Sequence, residues 1–460
     1  MHERNTPQPR QILKSIHNGR EAALETLLGF RHSPLGAREL LDQLLRDHGI
    51  AGQDAAQARE LALGVLRHQR LLDEQVRPLL KAPLHAMDRV ARATLRLACY
   101  QHYLMDRVPE HALVDESVKL IRRASKPKTA EKQARFINGV LRNLLRGAPE
   151  LNLDLPAAVR HSHPDWLARL IEQRYGAEAE AAMEWNNRRP DLHLRVNTLR
   201  ARSEDVAAAL RREGAELIEP PHPAPDCLIV SSTHGALHER KWFMDGLAAP
   251  QDMASQLVPH LLAPRPGNKV VDWCAAPGGK TCQLVALMQN QGRIFALDVD
   301  EARLRKVEEG AARLGAACIE THALNPALID FLRSQPADCV LVDAPCTGLG
   351  TLRRNPDIRW RRKPEDAAAT RKLQLEILDA AADCVRPGGA LVYSVCTITE
   401  EETDSAANAF LAKYSQFREA GRSAAPEWLQ TYLDQRGRLR TAPHRDQCDG
   451  FFAVKFIRHS

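Results

Sequence analysis

The chain of 460 residues lacks the marks of a membrane or secreted protein. It has no run of 18 or more apolar residues, so no membrane-spanning helix is predicted. Its N-terminal stretch MHERNTPQPRQILKSI has neither an apolar core nor a small-residue cleavage site, so no secretory signal is predicted. We therefore expect a soluble, cytoplasmic protein that does not bind membranes.

Metal-binding and disulfide patterns are also missing, although the chain has ten cysteines. None of them forms a Cys-x-x-Cys pair, and no histidines stand at the spacing of zinc ligands, so no metal is predicted. In a reducing cytoplasm most of these thiols should be free and packed as small hydrophobic side chains. A cysteine with a chemical role can therefore be recognised only by its position.

Excess positive charge is confined to the N-terminal third of the chain. The formal net charge is +6, but residues 1–150 hold 25 Lys and Arg against 17 Asp and Glu. Within them, residues 121–146 hold eight basic side chains and one acidic side chain. Such a cluster is either a solvated helix face or the electrostatic footprint of a nucleic-acid backbone. The candidate phosphate contacts are Arg122, Arg123, Lys126 and Lys128.

Hydrophobic periodicity divides the chain into three predicted domains. Residues 1–150 repeat apolar side chains at three- and four-residue steps, which predicts helices throughout. Residues 151–250 predict a small α/β module that connects the other two or binds RNA, in which LHLRVNTLRARSEDVAAALRREGAELI gives strand, helix and strand. Residues 251–460 alternate apolar strands with amphipathic helices, which predicts a doubly wound, mostly parallel Rossmann-like sheet. Ligands of such sheets bind at the carboxyl ends of the strands.

A glycine-rich loop, in VVDWCAAPGGKTC, follows the first strand of this sheet. A nucleoside-triphosphate loop would need glycine where Cys274 stands, and the dinucleotide pattern GxGxxG is absent. What remains is a tight turn and a helix N-terminus whose free N–H groups can hold a carboxylate. The candidate cofactor-binding residues of this loop are Cys274, Ala275, Ala276, Pro277, Gly278, Gly279 and Lys280.

An acidic residue, Asp298, ends the next predicted strand in IFALDVD. About 20 residues past a glycine-rich loop, such a carboxylate is placed to accept hydrogen bonds from the ribose hydroxyl groups of an adenosine cofactor. The alternative is that Asp298 merely caps the following helix. A carboxylate site at the first helix and a ribose site at the second strand together predict S-adenosylmethionine as the cofactor.

Two cysteines follow two strands that should be neighbours in this sheet. VLVDAPCTGLG ends one strand with Asp343 and Cys346, and LVYSVCT ends the next with Cys396. Carbon 5 of a pyrimidine becomes nucleophilic when a thiolate adds to carbon 6, which is a form of covalent catalysis. Nearby positive charge or a helix N-terminus would favour that thiolate. Asp343 would bond the edge of the cytosine ring, and it is also a candidate cofactor-binding residue.

Four motifs resemble those of the RNA 5-methylcytosine methyltransferases of the NOL1/NOP2/Sun family. They are DWCAAPGGKT, DAPC with RRNPDIRW, YSVCT followed by paired glutamates, and the terminal HRDQCDGFFAVKF. The resemblance implies that Cys396 is the nucleophile and that Cys346 assists release of the methylated product. DNA cytosine methyltransferases use the Pro-Cys cysteine as the nucleophile, so the reverse assignment stays open. The chain departs from the family pattern at Val395 and lacks an aspartate after the third strand, where Asn325 is the candidate substitute.

The N-terminal stretches LRLACYQHYLMDRVPEHALVDESVKLIRR and RFINGVLRNLLR resemble the helical RNA-binding domain shared with the antitermination factor NusB. Together with the four motifs, this resemblance implies an enzyme that methylates a cytosine of small-subunit ribosomal RNA, and we expect it to act as a monomer. The basic segment 352–363 beside Cys346 suits backbone contact and base stacking once the cytosine is turned out of its stack. Its candidate RNA contacts are Arg353, Arg354, Arg359 and Trp360.

Two other functions fit parts of the sequence. A phosphate-loop ATPase would hydrolyse ATP in a manner that depends on Lys280, although Cys274 in the first glycine position argues against it. A non-catalytic RNA-binding or assembly factor would fail to bind S-adenosylmethionine. The presence of both cysteines and of Asp343 favours an enzyme over such a factor.

Overall fold

The structure is a computed structural model. The residues that it describes are 12–106, 108–147, 150–232 and 237–459. The chain divides into two compact units, each built from two stretches. The helical unit comprises residues 1–188 and 352–362, and the α/β unit comprises residues 189–351 and 363–460. No helix in the described ranges is long and apolar enough to cross a membrane.

Helices and strands are numbered separately along the chain. The helices are α1 (Gly19–Gly29), α2 (Ala37–Asp47), α3 (Gly52–Val76), α4 (Arg89–Leu104), α5 (Glu110–Ala124), α6 (Pro127–Gly147), α7 (Ala157–Arg160), α8 (Asp165–Tyr175), α9 (Ala179–Trp185), α10 (Ser203–Arg212), α11 (Lys241–Met244), α12 (Met253–Leu262), α13 (Gly279–Leu287), α14 (Glu301–Leu314), α15 (Pro326–Ser334), α16 (Ile358–Arg361), α17 (Asp366–Ala382), α18 (Asp404–Lys413) and α19 (Pro443–Asp446). The strands are β1 (Leu192–Val196), β2 (Glu216–Ile218), β3 (Cys227–Ser232), β4 (Ala248–Pro250), β5 (Lys269–Asp272), β6 (Arg293–Asp298), β7 (Ile319–Ala323), β8 (Ala337–Asp343), β9 (Val385–Val395), β10 (Phe417–Glu419), β11 (Leu439–Arg440) and β12 (Phe452–Arg458).

The helical unit contains α1 to α9 and α16, which pack by burying apolar stripes. The buried side chains of α6, three or four residues apart along most of the helix, are Ala134, Ile137, Val140, Leu141 and Leu144. They join one hydrophobic cluster with side chains from α1 to α5. Polar residues fix where helices begin, as Asp88 does by accepting hydrogen bonds from the first turn of α4. The predicted helical character of the N-terminal third is confirmed.

The α/β unit begins with a four-stranded antiparallel sheet in the order β2-β3-β1-β4. α10 connects β1 to β2, which confirms the predicted order of strand, helix and strand. The core of this module includes Leu194 from β1, Val206 from α10 and Val230 from β3. The division into three domains at residues 150 and 250 stays a prediction.

The larger sheet has the strand order β10-β12-β9-β8-β5-β6-β7, with β11 paired to β12. The strands β5 to β9 are parallel, whereas β12 runs antiparallel to β9 and to β10. Neighbouring residues of one strand enter different cores: Val270 and Leu341 belong to one hydrophobic cluster, and Val271 and Val340 to another. The sheet is therefore covered on both faces, as predicted, and a site is expected at its carboxyl edge.

Candidate active site

The two cysteines singled out in the sequence lie side by side at the carboxyl ends of β8 and β9. These strands are parallel neighbours, and Asp343 at the end of β8 pairs in register with Ser394 of β9. The Cys346 and Cys396 sulfurs lie 3.4 Å apart, and neither cysteine forms a disulfide. The Gly350 N–H donates to the Cys396 carbonyl over 3.0 Å, so the loops that follow the two strands are joined.

Cys396 is held as a neutral thiol in this arrangement. Its hydrogen bond with Cys346 and its burial raise its pKa well above the ordinary value, and the Asp343 carboxylate acts in the same direction. Lys280 is the cation that opposes this shift. The expectation that the surroundings favour a thiolate is therefore wrong for Cys396. Burial and the second thiol outweigh Lys280, and the next helix, α18, begins only at Asp404.

Lys280 connects the glycine-rich loop to the ends of β8 and β9. Its ammonium group lies 2.7 Å from Oδ2 of Asp343, and Ser394 donates to Oδ1 of the same carboxylate over 2.7 Å. The ammonium group also lies 5.1 Å from the centre of the Phe451 ring. Two partners thus orient the Asp343 carboxylate, while its side chain stays 30% exposed and open to a ligand.

A buried glutamate that the sequence did not single out, Glu402, joins the two cysteine loops. It is 0% exposed. It accepts hydrogen bonds from Thr347, next to Cys346, and from Thr397, next to Cys396. The further donors to its carboxylate are Thr370, Gln374 and Thr399. Glu402 therefore fixes the positions of both cysteines, and the paired glutamates of the second cysteine motif were the available signal for it.

The glycine-rich loop turns tightly between β5 and α13. Gly278 has a φ of +100°, and a Cβ atom there would lie 3.0 Å from Cα of Val307, so glycine is required. The Ala275 N–H donates to the Leu297 carbonyl over 2.8 Å, which holds the loop against β6. Of the predicted cofactor residues in this loop, Ala275, Ala276 and Gly278 are buried, Cys274, Gly279 and Lys280 are half-buried, and Pro277 is exposed.

Two carboxylates beside the loop suit the polar groups of S-adenosylmethionine. Asp272 at the end of β5 accepts a hydrogen bond from Thr281 over 2.7 Å through Oδ2, whereas its buried Oδ1 has no partner among the described residues. Burial raises the Asp272 pKa to about 7. Asp298 at the end of β6 is 3% exposed and accepts hydrogen bonds from the Asp300 N–H and from Arg303. The unpaired oxygen of Asp272 fits the ammonium group of the cofactor, and Asp298 fits its ribose.

Three nearby residues have simple structural roles. Asp300, not Asp298, caps α14, so the capping alternative for Asp298 is wrong. Asn325 caps α15 by accepting a hydrogen bond from the Leu328 N–H over 2.9 Å, which occupies the candidate adenine contact. Val395, where the chain departs from the family pattern, is fully buried in the hydrophobic core below the cysteines.

Arg359, a predicted RNA contact, is a buried structural group of the helical unit. Its side chain belongs to the returning segment 352–362 and is 1% exposed. The guanidinium group donates to backbone oxygens of Arg67, Ser162 and Asn186 over 3.2 Å each. The prediction of RNA contact is therefore wrong for Arg359, because its side chain is buried and both terminal nitrogens donate inside the protein.

Arg353 and Trp360 are also engaged inside the helical unit. Arg353 is 6% exposed, and its guanidinium group lies 4.4 Å from the centre of the Trp185 ring. Trp360 donates its indole N–H to the Leu66 carbonyl over 2.7 Å. Arg353 is buried and presents no free surface for RNA, so the prediction of RNA contact is wrong for Arg353. Trp360 is half-buried, and its contact with RNA stays a prediction. Arg354 is half-buried, and its contact with RNA stays a prediction.

The predicted phosphate contacts around the junction of α5 and α6 differ in their surroundings. Lys126 and Lys128 are exposed. Arg122 and Arg123 each form an ion pair with a glutamate, which reduces the positive charge of this surface. RNA binding by these four residues stays a prediction.

Three parts of the chain match known protein families. Residues 17–146 match the NusB family. Residues 163–235 match the ferredoxin-like domain of RsmF/B-like methyltransferases, and residues 259–457 match the family described as 16S rRNA methyltransferase RsmB/F. The resemblances that the sequence motifs indicated at both ends of the chain are thus confirmed.

Relatives match over nearly the whole chain. A Bacillus subtilis protein named probable ribosomal RNA small subunit methyltransferase B is 32% identical over 442 residues, covering 94% of this chain and 97% of that protein. A Vibrio cholerae protein named ribosomal RNA small subunit methyltransferase B is 32% identical over 445 residues, covering 96% and 97%. The crystal structure of PH0851 has a TM-score of 0.77 at 27% identity and covers 96% of this chain and 99% of its own. The chain belongs to the RsmB/F family of methyltransferases.

Proposed function

We propose that this protein transfers the methyl group of S-adenosylmethionine to carbon 5 of a cytosine in small-subunit ribosomal RNA. The observation that carries the proposal is the pair of thiols 3.4 Å apart, Cys346 and Cys396, beside the oriented carboxylate of Asp343. Two reduced thiols at the carboxyl edge of a parallel sheet lie where its ligands bind. The names of the Bacillus subtilis and Vibrio cholerae relatives support ribosomal RNA as the substrate.

Cys396 is the nucleophile in this proposal. Its thiol loses its proton to water, and the sulfur bonds to carbon 6 of the cytosine. The double bond between carbons 5 and 6 opens, so that carbon 5 gains the electron density needed to attack a methyl group. S-adenosylmethionine, when bound, supplies that methyl group in electrophilic form. Asp343 holds the ring edge at nitrogen 3 and the exocyclic amine, where charge develops during the addition.

Cys346 acts in the second half of the reaction. After methyl transfer, carbon 5 carries both the new methyl group and its original hydrogen. Cys346, as the thiolate, accepts that hydrogen as a proton, the double bond between carbons 5 and 6 re-forms, and the bond from carbon 6 to the Cys396 sulfur breaks. The reverse assignment of the two cysteines predicts the opposite behaviour of their variants.

The residues around the glycine-rich loop divide the binding of the cofactor among them. The N–H groups in the first turn of α13, from Gly279 and Lys280 onward, would hold its carboxylate. Asp272 would accept hydrogen bonds from its ammonium group, and Asp298 from its ribose. The buried Ala275 and Ala276 lie beside them in the loop.

The two alternative functions have less support. Lys280 forms an ion pair with Asp343, so its ammonium group is engaged at the cysteine site rather than free for a phosphate. A non-catalytic factor would not need Glu402 to hold two thiols in contact.

The test is methyl transfer by the full chain. The protein is incubated with unmodified small-subunit ribosomal RNA and a cofactor with a labelled methyl group, and the product is mapped by bisulfite sequencing. The proposal expects one cytosine to become resistant to bisulfite and to carry the label. Label on another atom or base, or no transfer to naked RNA or to assembly intermediates, would contradict it.

A further inference from the structure

Four arginines line a cavity of about 340 Å³ in the helical unit, and we call it the arginine cavity. Arg89, Arg92 and Arg96 lie on one face of α4, three and four residues apart, and Arg31 follows the end of α1. Arg31 and Arg89 are exposed, and the other two are half-buried. The guanidinium groups thus surround a space that is open to a ligand.

Positive charge in the arginine cavity exceeds the negative charge around it. Arg96 forms a two-point ion pair with Asp73 over 2.6 and 2.7 Å. The other three arginines form no ion pair within the described part of the chain. The carboxylate of Asp88 lies nearby, but the first N–H groups of α4 already donate to it. The cavity therefore retains an unbalanced positive charge.

The surroundings add to the repulsion among these arginines. Burial lowers the Arg31 pKa, and the charges of Arg96, Arg92 and Arg89 lower it further. Burial and the charge of Arg96 also lower the Arg92 pKa. α4 begins at Arg89, so the positive end of its helix dipole lies beside the cavity and makes cations there unfavourable. An anion in the cavity would offset the repulsion among the arginines and their repulsion by the helix dipole.

We propose that the arginine cavity binds a phosphate group of the RNA backbone. A guanidinium group donates two parallel hydrogen bonds to phosphate oxygens, which is why arginine suits such sites. Arg89 and Arg92 are oriented for this by donating to the carbonyls of Leu28 and Leu84 over 2.7 and 3.2 Å. The choice of RNA as the source of the phosphate rests on the proposed function.

A second cavity favours the phosphates of a nucleic-acid strand over a single phosphate ion as the ligand. It has a volume of about 560 Å³ and is lined by Arg38, Arg361 and Arg362 in addition to Arg31. Two acidic residues, Glu39 and Asp357, also line it, and Asp357 pairs with Arg361 over 3.5 Å, so arginines outnumber acidic residues by four to two. Since Arg31 lines both cavities, they lie next to one another in the helical unit. Adjacent arginine sites of this kind match the repeating phosphates of a nucleic-acid strand.

The experiment compares Arg31→Gln and Arg92→Gln with the wild-type chain. The matched control is Arg169→Gln, at an exposed position of α8 in the same unit. Thermal unfolding is followed with and without inorganic phosphate or a mononucleotide, and binding of a ribosomal RNA fragment is titrated at several salt concentrations. Because each variant removes a repelled charge, its unfolding temperature without phosphate should equal or exceed that of the wild type, which shows that it folds.

The expected result is a selective loss of phosphate binding. Inorganic phosphate should raise the unfolding temperature of the wild type and control but not of the two variants. RNA affinity should fall about tenfold per variant. The slope of log affinity against log salt should decrease by about 0.7 for each lost contact with a single strand.

Three outcomes would overturn the proposal. The first is an equal effect of phosphate on variants and wild type, and the second is unchanged RNA affinity and salt slope. The third is loss of phosphate or mononucleotide binding with unchanged RNA binding. This result would assign the cavity to a free phosphate compound instead. RNA titration does not depend on methyl transfer, so an inactive wild type that still binds RNA through the cavity would contradict only the proposed function.

Discussion

The sulfur atoms of Cys346 and Cys396 lie within hydrogen-bonding distance, 3.4 Å apart, although 50 residues separate them in the chain. Parallel pairing of β8 with β9 brings them together, and Glu402 binds the threonine that follows each cysteine. Two thiols this close can act in turn on the same base. Their separate roles are therefore open to a direct test.

Replacing each cysteine by alanine should stop the reaction at a different step. Cys396→Ala should abolish methyl transfer without any adduct, because no sulfur adds to carbon 6. Cys346→Ala should transfer the methyl group but retain the RNA on Cys396, since nothing assists its release. Denaturing gels with labelled RNA measure the adduct. An adduct with Cys396→Ala and none with an inactive Cys346→Ala would reverse the two roles.

The raised pKa of Cys396 predicts a strongly alkaline profile for its reactivity. Below that pKa, the thiolate fraction increases about tenfold per pH unit, so alkylation of Cys396 should still be accelerating at pH 9. Lys280→Met should slow alkylation at each pH below that pKa, because it removes the cation that lowers the pKa. Mass spectrometry of the iodoacetamide-treated protein measures the rate at this residue. Lys306→Met, at an exposed position of α14, is the control, and a plateau below pH 8 would refute the prediction.

Glu402→Gln should lower kcat while KM changes little. The amide loses an acceptor oxygen, so donors from Thr347 or Thr397 lose their partner and the cysteines shift. A displacement of about 1 Å at reacting groups reduces rates by about a hundredfold. Steady-state kinetics measure the two parameters. Glu401→Gln, at the exposed neighbouring position, is the control, and a rise in KM at unchanged kcat would contradict a positioning role.

Asp272 should make cofactor binding depend on pH near neutrality. Burial raises its pKa to about 7, so the carboxylate is ionised above that pH and protonated below it. An ammonium group binds the ionised form better, so affinity for S-adenosylmethionine should increase between pH 6 and pH 8. Calorimetry with wild type and Asp272→Asn measures this, and the variant should bind weakly and without that dependence. Asp330→Asn, exposed on α15, should behave as the wild type.

The fold and the cysteine pair could be predicted because their causes are local or topological. Apolar strands that alternate with amphipathic helices specify a parallel sheet, and such a sheet gathers the residues after its strands at one edge. The role of Glu402 could not be predicted in the same way. It depends on donors such as Thr370 and Gln374 from α17, which only the folded chain brings to it.

The density of charge along the chain did not predict which arginines are accessible to RNA. The run around Arg359 and Arg353 suggested an RNA surface, yet both side chains are buried. The arginine cavity, by contrast, combines Arg31 with arginines of α4 that stand far apart from it in the sequence. A pattern search along the chain detects neither case, because burial and spatial clustering are set by helix packing.

Arg359→Met is expected to destabilise the helical unit rather than to weaken RNA binding directly. The substitution leaves the backbone oxygens of Arg67, Ser162 and Asn186 buried without this donor. Each such group costs about 1 to 3 kcal/mol, and removal of the burial cost of the guanidinium group offsets part of the sum. We therefore expect a loss of about 3 kcal/mol in the free energy of unfolding, measured by urea denaturation.

The control for Arg359→Met is Lys363→Met, an exposed position just beyond the segment, which should leave the urea midpoint unchanged. At a temperature where Arg359→Met is still folded, the salt dependence of its RNA binding should equal that of the wild type, because a buried guanidinium group displaces no counterions from RNA. The opposite pattern, unchanged stability with a reduced salt slope, would mean that Arg359 reaches the RNA after all. Stability and salt slope together therefore separate a structural arginine from a phosphate contact.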